Sequence, residues 1–200
     1  GEAIALPCNI SDDAQLDQLV GATLDAWGRI DILVCNAAVN PYYGPLQDLP
    51  DDAYEKTMAS NVRANLKLAK LTLPQMAELG GGSMQIVSSV AGIKGTDTIG
   101  VYGISKAADM AIARNLAVEW GPRNIRVNAL APAIIRTDFA RALWDNPEIY
   151  DAAIQNYPLR RIGDVEDVAG ASVFLASDAG KFVTGHTLVI DGGATIHSAA

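Results

Sequence analysis

Short apolar runs alternate with longer amphipathic segments along almost the whole chain, and this alternation limits the possible folds more than any other feature. The runs have the length and composition of strands, whereas the longer segments repeat apolar residues every three or four positions, as helices do. The predicted strands are 2–8, 30–37, 80–89 (a glycine turn followed by a strand), 125–132 and 186–193, and the predicted helices are 11–28, 51–76, 100–121 and 164–178. Strands separated by helices form a mainly parallel sheet with helices on both faces, so the sequence predicts one doubly wound α/β domain over residues 1–200.

Several residues predict where these elements begin and end. Ser11 is the expected N-cap of the first helix, and Asp164 is expected to open the last one. Pro74 is expected near the end of the second helix, and Gly121–Pro122 is expected to stop the third. The strand 30–37 has few polar residues, which predicts that both of its faces are covered.

The composition argues against several classes of function. Half of the 200 residues are apolar and the formal net charge is −8, which suits one domain with a sizeable core and disfavours binding to nucleic acid or to an anionic membrane. No apolar run approaches the about 18 residues of a membrane helix, and the chain does not start like a signal peptide, so we expect a cytoplasmic protein. Cys8 and Cys35 lie in predicted strands and are expected to be buried free thiols. His186 and His197 are the two histidines, and without an HExxH or CxxC motif we expect no metal site.

A tyrosine and a lysine stand four residues apart near the start of the predicted helix 100–121. Tyr102 and Lys106 therefore lie on the same helical face. An unperturbed tyrosine ionises near pH 10, and a nearby cation lowers that pKa by stabilising the phenolate. The pair predicts a general acid/base, although chance placement on a helix surface is the simpler interpretation of these two residues alone.

Further polar residues are expected at the edge of the sheet where the strands end. Ser88 and Ser89 follow one predicted strand, and Asn36 follows another. Asn61 stands among apolar neighbours inside a predicted helix, where asparagine is unfavourable unless its amide finds a partner. Ligands bind at this edge in doubly wound sheets, so these residues and the tyrosine–lysine pair indicate one site.

The segment 133–163 is poorly patterned and follows the end of a predicted strand. A long segment at that position predicts a substrate lid within the domain, against the alternative of an inert surface excursion.

The glycine-rich turn that normally holds a dinucleotide pyrophosphate is not found in this sequence. The early glycines, Gly1, Gly21 and Gly28, do not form it, and the GGGS at 80–83 precedes a strand instead of following one. We therefore expect the sequence to be N-terminally incomplete, with a unit of about 30 or more residues preceding it. The alternative is a true truncation that binds cofactor poorly.

Taken in order, these motifs resemble those of the short-chain dehydrogenases/reductases, a family with a Rossmann-type fold. The resemblance covers essentially the whole chain and rests on CNAA at 35–38, SNV at 60–62, IVSSVAG followed by YGISK, RVNALAPAIIRTDF, and VTGHTLVIDGG. The stretch LVCNAAVNPYYG is also similar to a carbonyl reductase branch of the family. Ala38 and Ala133 depart from the glycines of the family motifs, and we expect small backbone shifts there.

The resemblance implies a catalytic role for four residues. Tyr102 would transfer a proton to or from the substrate oxygen, and Lys106 would lower its pKa and bind the nicotinamide ribose. Ser89, thirteen residues before the tyrosine, would orient the substrate oxygen. Asn61 would hold a water that links the lysine to solvent.

The resemblance also implies NAD or NADP as cofactor, with no means of choosing between them in this sequence. Asn36 and Ala37 would contact the adenosine ribose, and Asn9 and Ile10 would flank the adenine, with Asn9 where an Asp is usual. The nicotinamide end would be contacted by Tyr102, Lys106, Pro132, Ile135 and Thr137.

The predicted function is therefore an NAD(P)-dependent oxidoreductase that interconverts a secondary alcohol and a ketone, or reduces another carbonyl. The alternative is a non-catalytic binding or assembly protein of the same fold that cannot hold cofactor. A nucleophilic hydrolase is disfavoured because YGISKAA lacks the second glycine of G-x-S-x-G. The family also implies a homo-oligomer, a tetramer or a dimer, formed through the two long helices.

Overall fold

The computed structural model describes residues 1–197, and its centre is one parallel sheet. The strands are β1 (Ile32–Cys35), β2 (Gly82–Val87), β3 (Ile125–Pro132) and β4 (Thr187–Ile190), in the spatial order β1-β2-β3-β4. The helices are α1 (Asp13–Trp27), α2 (Asp51–Met58), α3 (Ala64–Glu78), α4 (Gly100–Trp120), α5 (Pro147–Ile154) and α6 (Val165–Ala176), with a π-helix at Ala59–Arg63 between α2 and α3. Short 3-10 turns lie at Leu46–Asp48, Val90–Gly92, Gly121–Arg123, Asp138–Leu143 and Asp178–Gly180. The predicted doubly wound α/β fold is confirmed.

The first predicted strand is wrong, because residues 2–8 pair with none of the described strands. A strand needs a neighbour for its ladder of hydrogen bonds, and apolar composition cannot supply one. Cys8 is therefore a half-buried free thiol outside the sheet, whereas Cys35 is a buried free thiol in β1. β1 is also covered on one face only, since Ile32 and Val34 are 48% and 45% exposed.

One expected helix boundary is corrected. The N-cap of α1 is Asp12, whose carboxylate accepts the backbone N–H groups of two first-turn residues. Ser11 instead forms a 2.7 Å hydrogen bond with Ser60 of the π-helix. Pro74 lies inside α3 and near its end at Glu78, as expected.

The other predicted boundaries agree well with the structure. The strand 125–132 coincides with β3, and α4 ends at the residue before Gly121–Pro122. Asp164 opens α6 in a capping box with Asp167, as its position before an apolar run indicates.

The buried centre of the sheet fixes where the strand ends lie. Met84 and Ile86 of β2 and Val127 of β3 are fully buried beneath α3 and α4. The parallel register aligns Val87 with Leu130, so the carboxyl ends of β2 and β3 meet at one edge of the sheet. The residues that follow the strands are therefore brought together, which is the basis of the candidate site.

Within residues 1–197, no helix is long and apolar enough to cross a membrane. The same part of the chain contains no cluster of three or more His, Cys, Asp or Glu side chains arranged to hold a metal ion.

Candidate active site

The two serines that follow β2 have different surroundings. Ser88 is buried, and its hydroxyl donates to the carbonyl of Lys106 at 2.7 Å, which ties β2 to α4. Ser89 is half-buried and accepts the N–H of Ala91 at 3.1 Å, so its hydroxyl hydrogen is free to donate elsewhere. The structure therefore gives Ser88 a packing role and leaves Ser89 available for a ligand.

Tyr102 lies in the first turn of α4 beside Ser89. Burial raises the pKa of Tyr102 to about 12, the Ser89 hydroxyl acts in the opposite direction, and the Asp109 carboxylate raises it again. The overall shift is upward because loss of hydration destabilises the phenolate, and the Asp109 carboxylate opposes the charge of Lys106. The expected contribution of Lys106, which stabilises the phenolate, stays a prediction.

Lys106 is held rigidly beneath the tyrosine ring. Its side chain is 2% exposed, and its Nζ donates to the Val87 carbonyl at 2.8 Å and to Asp109 Oδ2 at 3.1 Å. The same atom lies 5.5 Å from the centre of the Tyr102 ring. An ammonium has three N–H donors, so one remains for a ligand hydroxyl.

Asn61 lies in the π-helix and clamps the loop that follows β1. Its Oδ1 accepts the Val39 N–H at 2.8 Å, and its Nδ2 donates to the Val39 carbonyl and to Ser105 Oγ, each at 3.0 Å. Ser105 in turn donates to the Tyr102 carbonyl at 2.7 Å. π-Helical turns are often found at functional sites, and this one connects the β1 loop with the start of α4. The water held by Asn61 remains a prediction.

The residues predicted to contact the adenosine half lie on two neighbouring segments. Asn36 and Ala37 follow β1 directly and are exposed. Asn9 and Ile10 precede α1, and Asn9 Oδ1 accepts the Ser11 N–H at 3.1 Å, so this amide already stabilises a turn. The residue after the second segment, Ser11, is bonded to Ser60 of the π-helix, and Val39 of the β1 loop is bonded to Asn61. Contacts of both segments with adenosine remain predictions.

The residues predicted at the nicotinamide end lie after β3. Pro132 ends that strand, and Ile135 forms a parallel bridge with Gly163 and lines a cavity of about 140 Å³. The Thr137 carbonyl accepts Trp144 Nε1–H at 3.0 Å, a hydrogen bond within the segment 133–163. A wider concavity of about 790 Å³ lies on residues 142–149 and contains none of the predicted site residues. We place the site at the strand ends, because the titratable groups meet there.

These residues fit the ribose and nicotinamide parts of a dinucleotide. The exposed backbone after β1, the half-buried Ser89 and the free ammonium donor of Lys106 offer polar contacts at one edge of the sheet. Within residues 1–197, no glycine-rich turn joins a strand to a following helix, so the structure offers no comparable fit for the pyrophosphate.

Two residues near the site were not predicted from the sequence. Asp109 and Asn65 are buried polar residues on α4 and α3. Phe139, which belongs to the predicted lid segment, places its ring centre 6.2 Å from that of Tyr102. An acidic residue three positions after Lys106 on an otherwise apolar helix face was the available signal for Asp109.

Known proteins share both the sequence and the fold. The chain matches the family described as Enoyl-(Acyl carrier protein) reductase over residues 1–195. It is 39% identical to Dehydrogenase/reductase SDR family member 4 of Bos taurus over 190 residues, which are 95% of this chain and 68% of that relative. The Homo sapiens protein of the same name is 40% identical over 186 residues, or 93% of this chain and 67% of the relative. The chain belongs to the short-chain dehydrogenase/reductase family.

Solved structures agree with this membership. A 7α-hydroxysteroid dehydrogenase complexed with NADH and 7-oxo glycochenodeoxycholic acid superimposes with a TM-score of 0.92 at 35% identity, covering 96% of this chain and 70% of that one. A gluconate 5-dehydrogenase from Burkholderia cenocepacia J2315 in complex with NADP and tartrate gives 0.89 at 31% identity, covering 94% and 74%. This short-chain dehydrogenase/reductase is thus an enzyme of an NAD(P)-dependent class.

Proposed function

We propose that this short-chain dehydrogenase/reductase interconverts a secondary alcohol and a ketone, or reduces another carbonyl, using NAD or NADP. The observation that carries the proposal is Tyr102 at the carboxyl edge of the sheet, with Ser89 beside it and Lys106 Nζ 5.5 Å from its ring centre. The ligands named for the solved relatives, a 7-oxo steroid acid with NADH and tartrate with NADP, are compatible with this chemistry.

Tyr102 acts as the general acid in the reducing direction. A pKa of about 12 keeps its phenol protonated at neutral pH, so it has a proton to donate to a carbonyl oxygen as negative charge develops there. Ser89 donates a second hydrogen bond to the same oxygen. In the oxidising direction the tyrosine must lose its proton, and the ammonium of Lys106 stabilises the phenolate.

The bound NAD or NADP supplies or accepts the hydride. Lys106 has one N–H left for a ribose hydroxyl, and Asn36 and Ala37 offer exposed contacts for the second ribose. Asn9 and Ile10 would flank the adenine, and Pro132, Ile135 and Thr137 would border the nicotinamide. Asn61 keeps the β1 loop in place for these contacts.

The test is a reduction assay that follows NADH or NADPH oxidation with a panel of ketones and aldehydes. We expect turnover with at least one carbonyl, and we expect Ser89→Ala to lower kcat by about 10²-fold. Ser177→Ala is a matched control, because the exposed Ser177 hydroxyl bonds only a helix carbonyl at 3.2 Å.

The competing function is a non-catalytic protein that cannot hold cofactor, and a measurement of nucleotide binding distinguishes it from the proposed enzyme. The wild-type protein is titrated with NADH and NADPH by nucleotide fluorescence. Absence of both nucleotide binding and carbonyl turnover would favour that alternative and contradict the proposed function. Tight binding of either nucleotide would exclude a protein that cannot hold cofactor.

We also propose that the protein forms a homo-oligomer through α3 and α4. Leu66, Ile104 and Val118 on these helices are 36%, 47% and 81% exposed, and a second copy of the chain would cover them. Light scattering at several protein concentrations tests this, with a dimer or tetramer expected; a monomer at all concentrations contradicts it.

A further inference from the structure

A buried polar cluster on α3 and α4 lies one helical turn behind Tyr102. Lys106, Asp109 and Asn65 are 2%, 0% and 4% exposed. Asn65 Nδ2 donates to Asp109 Oδ1 at 2.9 Å and to the Asn61 carbonyl at 2.7 Å, while Asp109 Oδ2 accepts from Lys106 Nζ at 3.1 Å. Both carboxylate oxygens and both amide hydrogens are therefore paired away from water.

Stability alone does not require such a cluster. A buried carboxylate and ammonium both lose their hydration, and apolar side chains of similar volume often replace buried ion pairs without loss of stability. The cluster is bordered by apolar core residues such as Leu68 and Ala113, so apolar side chains would fit here. Its orientation toward Lys106 Nζ indicates a role at the site.

Building on the proposed function, we propose that Asp109 and Asn65 are positioning residues for proton transfer. The Asp109 carboxylate, oriented by Asn65, holds the Lys106 ammonium beneath Tyr102 and sets the electrostatic potential at the phenol. Asn65 also donates a hydrogen bond to the Asn61 carbonyl, and this bond links the cluster to the residue that holds the β1 loop.

The charge of Asp109 acts on every titratable group that faces it. These groups are Lys106 and Tyr102 on its own helix and the Cys35 thiol from β1, whose pKa is raised to about 12 by burial first and by Asp109 second. The group that faces it from α3 is the neutral amide of Asn65. Removing this one negative charge weakens proton binding at Tyr102 and Cys35, so the titrations of these two groups move to lower pH.

The experiment titrates Tyr102 by tyrosinate ultraviolet absorbance after a rapid pH jump, read before the protein unfolds. The Tyr102 signal is the difference between each protein and the same protein with Tyr102→Phe. We expect Asp109→Asn to lower the Tyr102 midpoint by about one pH unit or more, and the alkaline limb of kcat for carbonyl reduction to move with it. Asp109→Glu keeps the charge and should stay near wild type.

Glu119→Gln is the matched control, because it removes a negative charge from the exposed far end of the same helix. An Asp109→Asn midpoint equal to or above that of wild type overturns the inference. If Asp109→Asn does not fold, Asn65→Ala takes its place: we expect kcat to fall several-fold with KM nearly unchanged. A lower Tm with unchanged kcat would assign Asn65 a purely structural role.

Failure of this inference is distinct from failure of the proposed function. The tyrosinate titration needs neither cofactor nor turnover, so it remains informative in a protein that reduces no carbonyl. If the wild type is active and the Tyr102 midpoint is unchanged in Asp109→Asn, the proposed function stands and only the positioning role is contradicted.

Discussion

Asn61→Ala is the perturbation whose effect follows most directly from the structure. The amide makes three hydrogen bonds, at 2.8, 3.0 and 3.0 Å, to Val39 N–H, the Val39 carbonyl and Ser105 Oγ. Each bond contributes about 1 kcal/mol net, so the substitution should lower the free energy of unfolding by about 3 kcal/mol. For a chain of this length that corresponds to a Tm lower by about 10 °C.

The assay is thermal unfolding followed by circular dichroism, with Asn115→Ala as the control. Asn115 lies on exposed α4 surface and donates one hydrogen bond to the Ala111 carbonyl at 2.8 Å, so its loss should cost about 0.5 kcal/mol or less. The variant Asn61→Asp keeps the acceptor for Val39 N–H but buries a carboxylate oxygen against the Val39 carbonyl, so it should be at least as destabilised as Asn61→Ala. If Asn61→Ala is no less stable than Asn115→Ala, the clamp does not hold the β1 loop.

Three further outcomes are expected. Gly103→Ala should lower the free energy of unfolding in urea by about 1–3 kcal/mol, since a Cβ there would lie 2.7 Å from the Ala91 carbonyl oxygen. Gly170→Ala is the control within α6: its Cβ would meet open space, so it should stabilise the protein slightly. Equal effects of the two substitutions would contradict the close packing at Gly103. The hydrogen bond from Arg161 lowers the pKa of Asp167 to about 2, so the stabilisation by this carboxylate is complete above its ordinary pKa of 3.8 and is lost as the pH falls toward 2. The Tm difference between wild type and Asp167→Asn should therefore vanish near pH 2. A difference that stays constant with pH would refute this. A thiol reagent at pH 8 should modify Cys8 in the folded protein and Cys35 only after unfolding, because Cys35 is buried and burial raises its pKa to about 12. Modification of Cys35 in the folded Cys8→Ser variant would contradict its burial.

The fold was predictable where local sequence and burial agree. The strand 125–132 is apolar, central and covered by α4, so its boundaries could be read directly from the sequence. Residues 2–8 have a similar composition, but a strand depends on a neighbour that composition does not specify. Coverage of a strand likewise depends on what packs against it: 30–37 has few polar residues, yet Ile32 and Val34 on one face of β1 are exposed.

The members of the site could be named from the sequence, but their electrostatics could not. The spacing of Tyr102 and Lys106 places them on one helical face, which is a local property. The pKa of Tyr102 depends on burial and on Asp109, and the partner of Asn61 is a backbone 22 residues away. These are tertiary properties, so the sequence indicated the lysine beside the tyrosine but not the burial that raises the tyrosine pKa.

The most direct test of proton transfer by Tyr102 is the single-turnover rate of carbonyl reduction in Tyr102→Phe, measured by rapid mixing with saturating NADH or NADPH. We expect the rate to fall by about 10²-fold or more, because the phenol supplies the proton. Tyr54→Phe, on the exposed surface of α2, should keep the wild-type rate. A Tyr102→Phe variant that reduces the carbonyl as fast as wild type would contradict the account.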